Sequence, residues 1–193
     1  AAVKAGTNIS SLSVTNSATG GAVTVDAGAA TAVTVAGGAA SDTFTVTLAN
    51  GTNTLDATAG SAGGTDAYTL NLKGGTLTLT GNASDTKALT INASGAAQTV
   101  NATATVATGA TSAGTITLTG DQSITLKDTA ANLNGVTLTD STTGSAVSTV
   151  KLTSVGATSA ADLSKVAADK LEVVDTTTGG FVSTFADNAN VLW

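Results

Sequence analysis

Apolar and polar residues alternate with a period of two in short bursts along the whole chain. The clearest burst lies in Gly37 to Leu48, GGAASDTFTVTL, where Phe44, Val46 and Leu48 alternate with Thr43, Thr45 and Thr47. Successive side chains leave opposite faces of an extended backbone, so this run predicts a strand with one apolar face and one threonine face. Similar alternating segments occur at Leu12 to Val14, Val23 to Val25, Val33 to Val35, Tyr68 to Leu72, Leu77 to Leu79 and Leu89 to Ile91. They continue at Ile116 to Leu118, Ile124 to Leu126, Val136 to Leu138 and Val150 to Leu152. Most neighbours start roughly 8 to 14 residues apart, the spacing of serial short strands joined by tight turns. Between them stand Gly20-Gly21, Gly37-Gly38, Asn50-Gly51, Gly63-Gly64, Gly74-Gly75, Gly81-Asn82, Asn134-Gly135 and Gly179-Gly180. Glycine and asparagine serve where the chain must turn through positive φ.

Two all-β architectures fit such a pattern. An elongated, right-handed parallel β-solenoid with irregular coils stacks each coil on the last. An antiparallel β-sandwich joins its strands by hairpins and shares a core between two sheets. Very short strands, uniformly small core residues and few large aromatics favour the solenoid. The hairpin-type dipeptides Asn50-Gly51 and Asn134-Gly135 favour the sandwich. The β-repeat region is expected over residues 1–157.

From residue 158 to 193 the texture changes. Ser159 as an N-cap, with Leu163 and Val166 following, predicts a short helix over Ala160 to Ala168, then a strand at Leu171 to Val174. Phe181, Phe185, Val191, Leu192 and Trp193 cluster at the end, and this segment is read as a helix-strand cap or a continuation of the solenoid.

Composition narrows the core and the chemistry. The chain has 193 residues, no Cys, Met or Pro, no His, and only 3% aromatics. About a fifth of its residues are Leu, Ile, Val or Phe, a level at which disorder must be weighed. Charged residues are only 10%, however, and mean hydropathy is positive. A narrow core lined by Val, Leu, Ile and Ala and surfaced with Thr follows. A net charge of −6 without arginine argues against nucleic acid, since phosphate binding needs clustered cations. No apolar run is long enough to span a bilayer as a helix, so membrane insertion is not expected. No initiator Met or signal peptide is visible, and an internal or C-terminal fragment of a longer protein is expected.

Catalysis is poorly supplied, because a nucleophilic Ser or Thr would need a base and neither His nor Cys is present. Paired carboxylates could still hydrolyse a glycan, yet the aromatic platforms and Arg or His of sugar clefts are missing. The chain is therefore read as not an enzyme. Calcium is the stronger expectation: hard cations take oxygen ligands, which Asp, Asn, Thr and turn carbonyls supply. Asp42 and Asp66 each follow a Gly-Gly turn and open an alternating strand, and would bind calcium or close Asx turns. Asp121 enters a strand at Leu118 to Leu126. Asp128 beside Lys127 would be a ligand or a solvated surface residue. Asp140 and Asp56 complete the candidate metal set, with Asp56 and Asp85 placed in polar loops. Thr-x-Thr elements at Thr43 to Thr47, Thr76 to Thr80, Thr115 to Thr119 and Thr137 to Thr139 would order water or bind ice if stacked. Their spacing predicts no single flat ladder, and threonine is in any case a favoured polar strand residue.

The units Gly37-Gly38-Ala-Ala-Ser-Asp42-Thr-Phe44 and Gly63-Gly64-Thr-Asp66-Ala-Tyr68-Thr-Leu70 resemble degenerate calcium-binding repeats-in-toxin nonapeptides. With LTGDQSITL at Leu118 to Leu126, the Thr/Ala/Gly-rich texture and the absence of Cys, the chain resembles bacterial S-layer proteins exported by the type I route, and the β-strand repeats of related surface proteins. The resemblance implies an extracellular subunit that self-assembles into a calcium-dependent array on the bacterial cell surface, with cell-surface polysaccharide as a possible anchor. A repeat module of a secreted adhesin or ice-binding protein is the alternative.

Overall fold

The computed structural model describes residues 1–16, 20–38, 40–57, 66–81, 86–102, 108–109, 112–154, 161–173, 183–185 and 191–192. The turn at Gly63-Gly64, the cap at Ser159, the loop at Asp85, Phe181 and Trp193 lie outside them. In chain order the strands are β1 (Ala2–Lys4), β2 (Ser11–Thr15), β3 (Gly21–Asp26), β4 (Ala32–Ala36) and β5 (Asp42–Leu48). Next come β6 (Gly51–Ala57), β7 (Asp66–Leu72), β8 (Gly75–Gly81), β9 (Thr86–Ala93) and β10 (Gln98–Ala102). Then follow β11 (Thr108–Gly109), β12 (Ser112–Ala113), β13 (Thr115–Gly120), β14 (Ile124–Thr129) and β15 (Thr137–Thr142). The last are β16 (Ser148–Ser154), β17 (Ala161–Leu163), β18 (Lys170–Val173), β19 (Ser183–Phe185) and β20 (Val191–Leu192).

Strands alternate between two sheets. One runs β1-β3-β5-β7-β9-β13-β15 and the other β2-β4-β6-β8-β10-β14-β16-β18-β20. Every pairing within these two sheets is parallel, which establishes the β-solenoid and excludes the antiparallel sandwich. Asn50-Gly51 and Asn134-Gly135 turn corners between sheets and make no hairpin. The described hairpin, β11 with β12, sits in the coil between Ala88 and Thr115. Paired strands lie from 20 residues (Leu171 to Val191) to 27 (Ala88 to Thr115) apart, the isolated bridge from Leu138 to Val166 spans 28, and the difference is taken up mostly in the turns.

Register puts like on like. In the seven-stranded sheet one inward column reads Val23, Phe44, Tyr68, Leu89, Ile116, Leu138 and the next Val25, Val46, Leu70, Ile91, Leu118. All are buried in one continuous hydrophobic core. Phe44 and Tyr68, on adjacent coils, stack with ring centroids 5.3 Å apart. Outward threonines align by the same register: Thr24, Thr45, Thr69, Thr90, Thr117 and Thr139 form one column. The expectation of no single ladder is therefore corrected, because coil-length differences fall mostly in the turns and the two one-residue register shifts, at Asp66/Ala67 and Asp128/Thr129, leave this column aligned. At the stacked corners backbone approaches backbone. Gly75, at φ +95°, lies so close above the Gly51 carbonyl that a Cβ would collide with it.

Two further expectations change. The short C-terminal helix is not formed: over its described residues Ala161–Leu163 is a strand paired parallel with β19, and Ser164 and Lys165 turn. Leu163 and Val166 are both buried, and the spacing read as a helical face instead fills a coil that packs onto the stack. The following strand is present as Lys170–Val173. Asp56 lies on β6 and not in a loop; that strand was hidden because Asn53 occupies one of its buried positions.

The alternation is directly testable. Leu118→Ala should lower unfolding free energy by about 2–5 kcal/mol, whereas Thr117→Ala, one residue away on the outer face, should stay within about 1 kcal/mol. Urea denaturation of both variants measures the contrast.

Candidate functional site

The chemistry-bearing side chains gather where one sheet hands the chain to the other. Asp42 and Asp66 open β5 and β7 on adjacent coils and are 3% and 2% exposed, so neither is a solvated surface group. Asp42 Oδ1 accepts from Asn16 Nδ2 at 2.7 Å, and its Oδ2 accepts from the Gly38 amide at 3.0 Å. The Asp42 amide in turn donates to Asp66 Oδ1 at 2.9 Å. The Tyr68 hydroxyl donates to Asp66 Oδ2 at 3.4 Å, and the same oxygen occupies the space that a side chain on Gly37 would need. The Gly-Gly turn thus owes Gly37 to close approach, and the two carboxylates link three successive coils through Asn16, Asp42 and Asp66. Apart from the Tyr68 hydroxyl bond, these bonds run backward or across coils, unlike Asx turns, which close on backbone amides of the residues that follow. Asx geometry occurs instead at Asp26, Asp140 and Asp162, whose Oδ1 atoms accept from Gly28, Thr142 and Ser164 amides.

A second group lies toward the C-terminal end. Asp140 pairs with Leu118 and so continues the inward aliphatic column that ends there, and its Oδ2 accepts from the Ser148 hydroxyl at 2.7 Å. Ser148 is fully buried, and its amide donates to Asp169 Oδ2 while its Oγ accepts from the Asp169 amide, each at 2.9 Å. Burial raises the Asp140 carboxyl, but hydrogen bonds from Ser148 and Thr142 outweigh it and hold the group below its ordinary value. Asp169 was not singled out from the sequence, because the partner that places it is 21 residues earlier and only coil stacking joins them.

Asp128 departs most from expectation. It occupies an inward position of β14, is 3% exposed, and is not a solvated neighbour of Lys127. Its Oδ1 accepts from the Thr129 amide at 2.7 Å and from Asn132 Nδ2 at 2.6 Å. Burial dominates over these bonds and pushes its carboxyl up to about 6. Asp121 is exposed at the corner before β14, and Asp56 faces outward in register with Thr34 and Thr80. The six candidate metal residues are thus distributed over several corners and faces. Among the described residues no three acidic or histidine side chains stand together as a metal-binding group.

Among the described residues no helix is long and apolar enough to cross a membrane. Compared with protein-family models, curated proteins and solved structures, the chain matches none.

Two outcomes test these roles. Asp66→Ala leaves the buried Asp42 amide without its acceptor and should cost about 1–3 kcal/mol of stability by chemical denaturation. For Asp128 the folded carboxyl binds its proton more tightly than the ordinary value of 3.8 allows in the unfolded chain. Its contribution to stability is therefore complete below about pH 4 and is lost as pH rises to about 6. Asp128→Asn, which resembles the protonated form, should flatten that part of the profile and gain about 2–3 kcal/mol over the parent above pH 7.

Proposed function

We propose that this chain is a structural, non-catalytic module of a secreted protein that self-assembles into an array on a bacterial cell surface. One observation carries the reading: a parallel stack holds its register across coils of 20 to 27 residues while presenting small polar residues outward. Such a body is a repeated spacer with long flat sides, suited to contact between copies and to anchoring on cell-surface polysaccharide. The absence of Cys, the low charge and the resemblance to S-layer repeats support the same reading.

Calcium belongs to this proposal as an external stabiliser. Asp42 and Asp66 already direct their oxygens at amide and hydroxyl donors. Asp140 and Asp169, joined through Ser148, offer the denser pair of carboxylates. An ion taking about six to eight oxygens would need carbonyls or water beside them. Binding to the folded state alone would raise stability with ligand concentration, which suits a chain with a thin core.

Electron microscopy and sedimentation with calcium, and again with chelator, test both parts. Ordered assemblies and a raised melting temperature are expected only with calcium, and Asp140→Asn with Asp169→Asn should weaken the calcium shift more than Asp42→Asn. A monomer in both conditions whose melting ignores calcium would overturn the proposal.

A further inference from the structure

The two outer faces of the stack differ in charge. On the seven-stranded sheet the column Thr24, Thr45, Thr69, Thr90, Thr117, Thr139 places one threonine on each of six successive coils. From β5 to β15 it is flanked on one side by Thr43, Ala67, Ala88, Thr115 and Thr137, and on the other by Thr47, Asn71, Asn92, Thr119 and Ser141. Over β5 to β15 none of the positions in these three columns is ionisable or aromatic, although the chain carries a net charge of −6; charge enters at the N-terminal end, where Asp26 and Lys4, paired at 3.7 Å, continue the Thr47 column. The nine-stranded sheet has its own threonine column, Thr52, Thr76, Thr99, Thr125 and Thr149. In the column beside it, however, stand Lys127, Lys151 and Glu172, the last two paired at 3.1 Å, and Asp56 lies one column further.

We propose that the outer face of the seven-stranded sheet binds ice. The face repeats in two directions. Hydrogen-bonded strands lie about 4.7–4.9 Å apart, and alternate residues along a strand lie about 6.6 Å apart. The first repeat is close to that of hexagonal ice along its a axis, so a row of hydroxyls and methyls one per coil meets a row of lattice waters. Threonine suits this because its β-branched side chain is stiff at χ1 and holds hydroxyl and methyl in fixed relation. Asn92 Nδ2 donates to Asn71 Oδ1 at 3.0 Å, which fixes part of the flanking column in the same repeat. Neutrality over β5 to β15 selects the partner: a charged polymer gains no electrostatic attraction there, a sugar finds no ring to stack on, and an uncharged periodic lattice of water meets no desolvated charge.

Ice recrystallisation and thermal hysteresis, measured on the chain in chelator where array formation is not expected, test the inference apart from the function proposed above. The parent should inhibit recrystallisation. Thr90→Lys with Thr117→Lys should abolish the effect, while Thr76→Lys with Thr99→Lys on the other face should leave it intact. Melting by circular dichroism checks the fold. Should the first lysine pair fail to fold, Thr90→Ala with Thr117→Ala removes hydroxyl and methyl together and should give the same loss. A parent with no effect on ice, equal losses on both faces, or full activity in a folded Thr90/Thr117 variant would overturn the proposal.

Discussion

The parallel hydrogen-bond ladder between one coil and the next is the constraint from which everything else in this molecule follows. Because its partners are 20 to 27 residues apart, each rung joins distant parts of the chain. Turns of any length are tolerated, since loop closure costs only about 0.6 kcal/mol for each doubling of length. A slip of one residue would instead turn Phe44, Val46 and Leu48 outward and bring threonines into the core, so the strands cannot drift. Length varies where it is cheap and register is kept where it is not.

The same ladder explains how few bulky residues suffice. Each inward column presents mostly Val, Leu, Ile or Ala to its neighbour above and below, and among the residues whose burial is described the core is filled without aromatics beyond the Phe44–Tyr68 pair. Polar interruptions sit at coil ends. Asp42 and Asp66 are satisfied by amides and hydroxyls, and Ser148 by two aspartates. Asn53 Oδ1 and Gln98 Oε1 are buried without a partner among the described hydrogen bonds, a local cost that the aliphatic columns on either side must offset. Asp128 adds a pH-dependent cost of the same kind.

Period-two alternation made most of the strands legible, from Leu12 to Leu152, because it depends only on neighbouring residues. What stayed illegible was non-local. β6 escaped notice because Asn53 fills an inward slot that an aliphatic residue would have marked. The helix expected over Ala160 to Ala168 gave way to a strand and turn because stacking onto β15 decides the backbone there, as Leu138 pairs with Val166. Site residues divide the same way. Asp42 and Asp66 were visible as carboxylates after glycine turns, but the Asn16 partner of Asp42, its amide bond to Asp66, and the meeting of Asp140 with Asp169 through Ser148 come from coil stacking. Thr-x-Thr spacing looked irregular for the same reason: its regularity runs across coils and not along the chain.

Spin-label distances along the outer threonine column measure that stacking directly, in a chain without native cysteine. With labels at Thr24→Cys and Thr139→Cys, five coil steps apart, a locked ladder predicts a single narrow distribution near about 24 Å, and near about 14 Å for Thr24→Cys with Thr90→Cys. Distances that fail to grow in proportion to the number of coils, or a broad distribution for either pair, would contradict a register-locked solenoid.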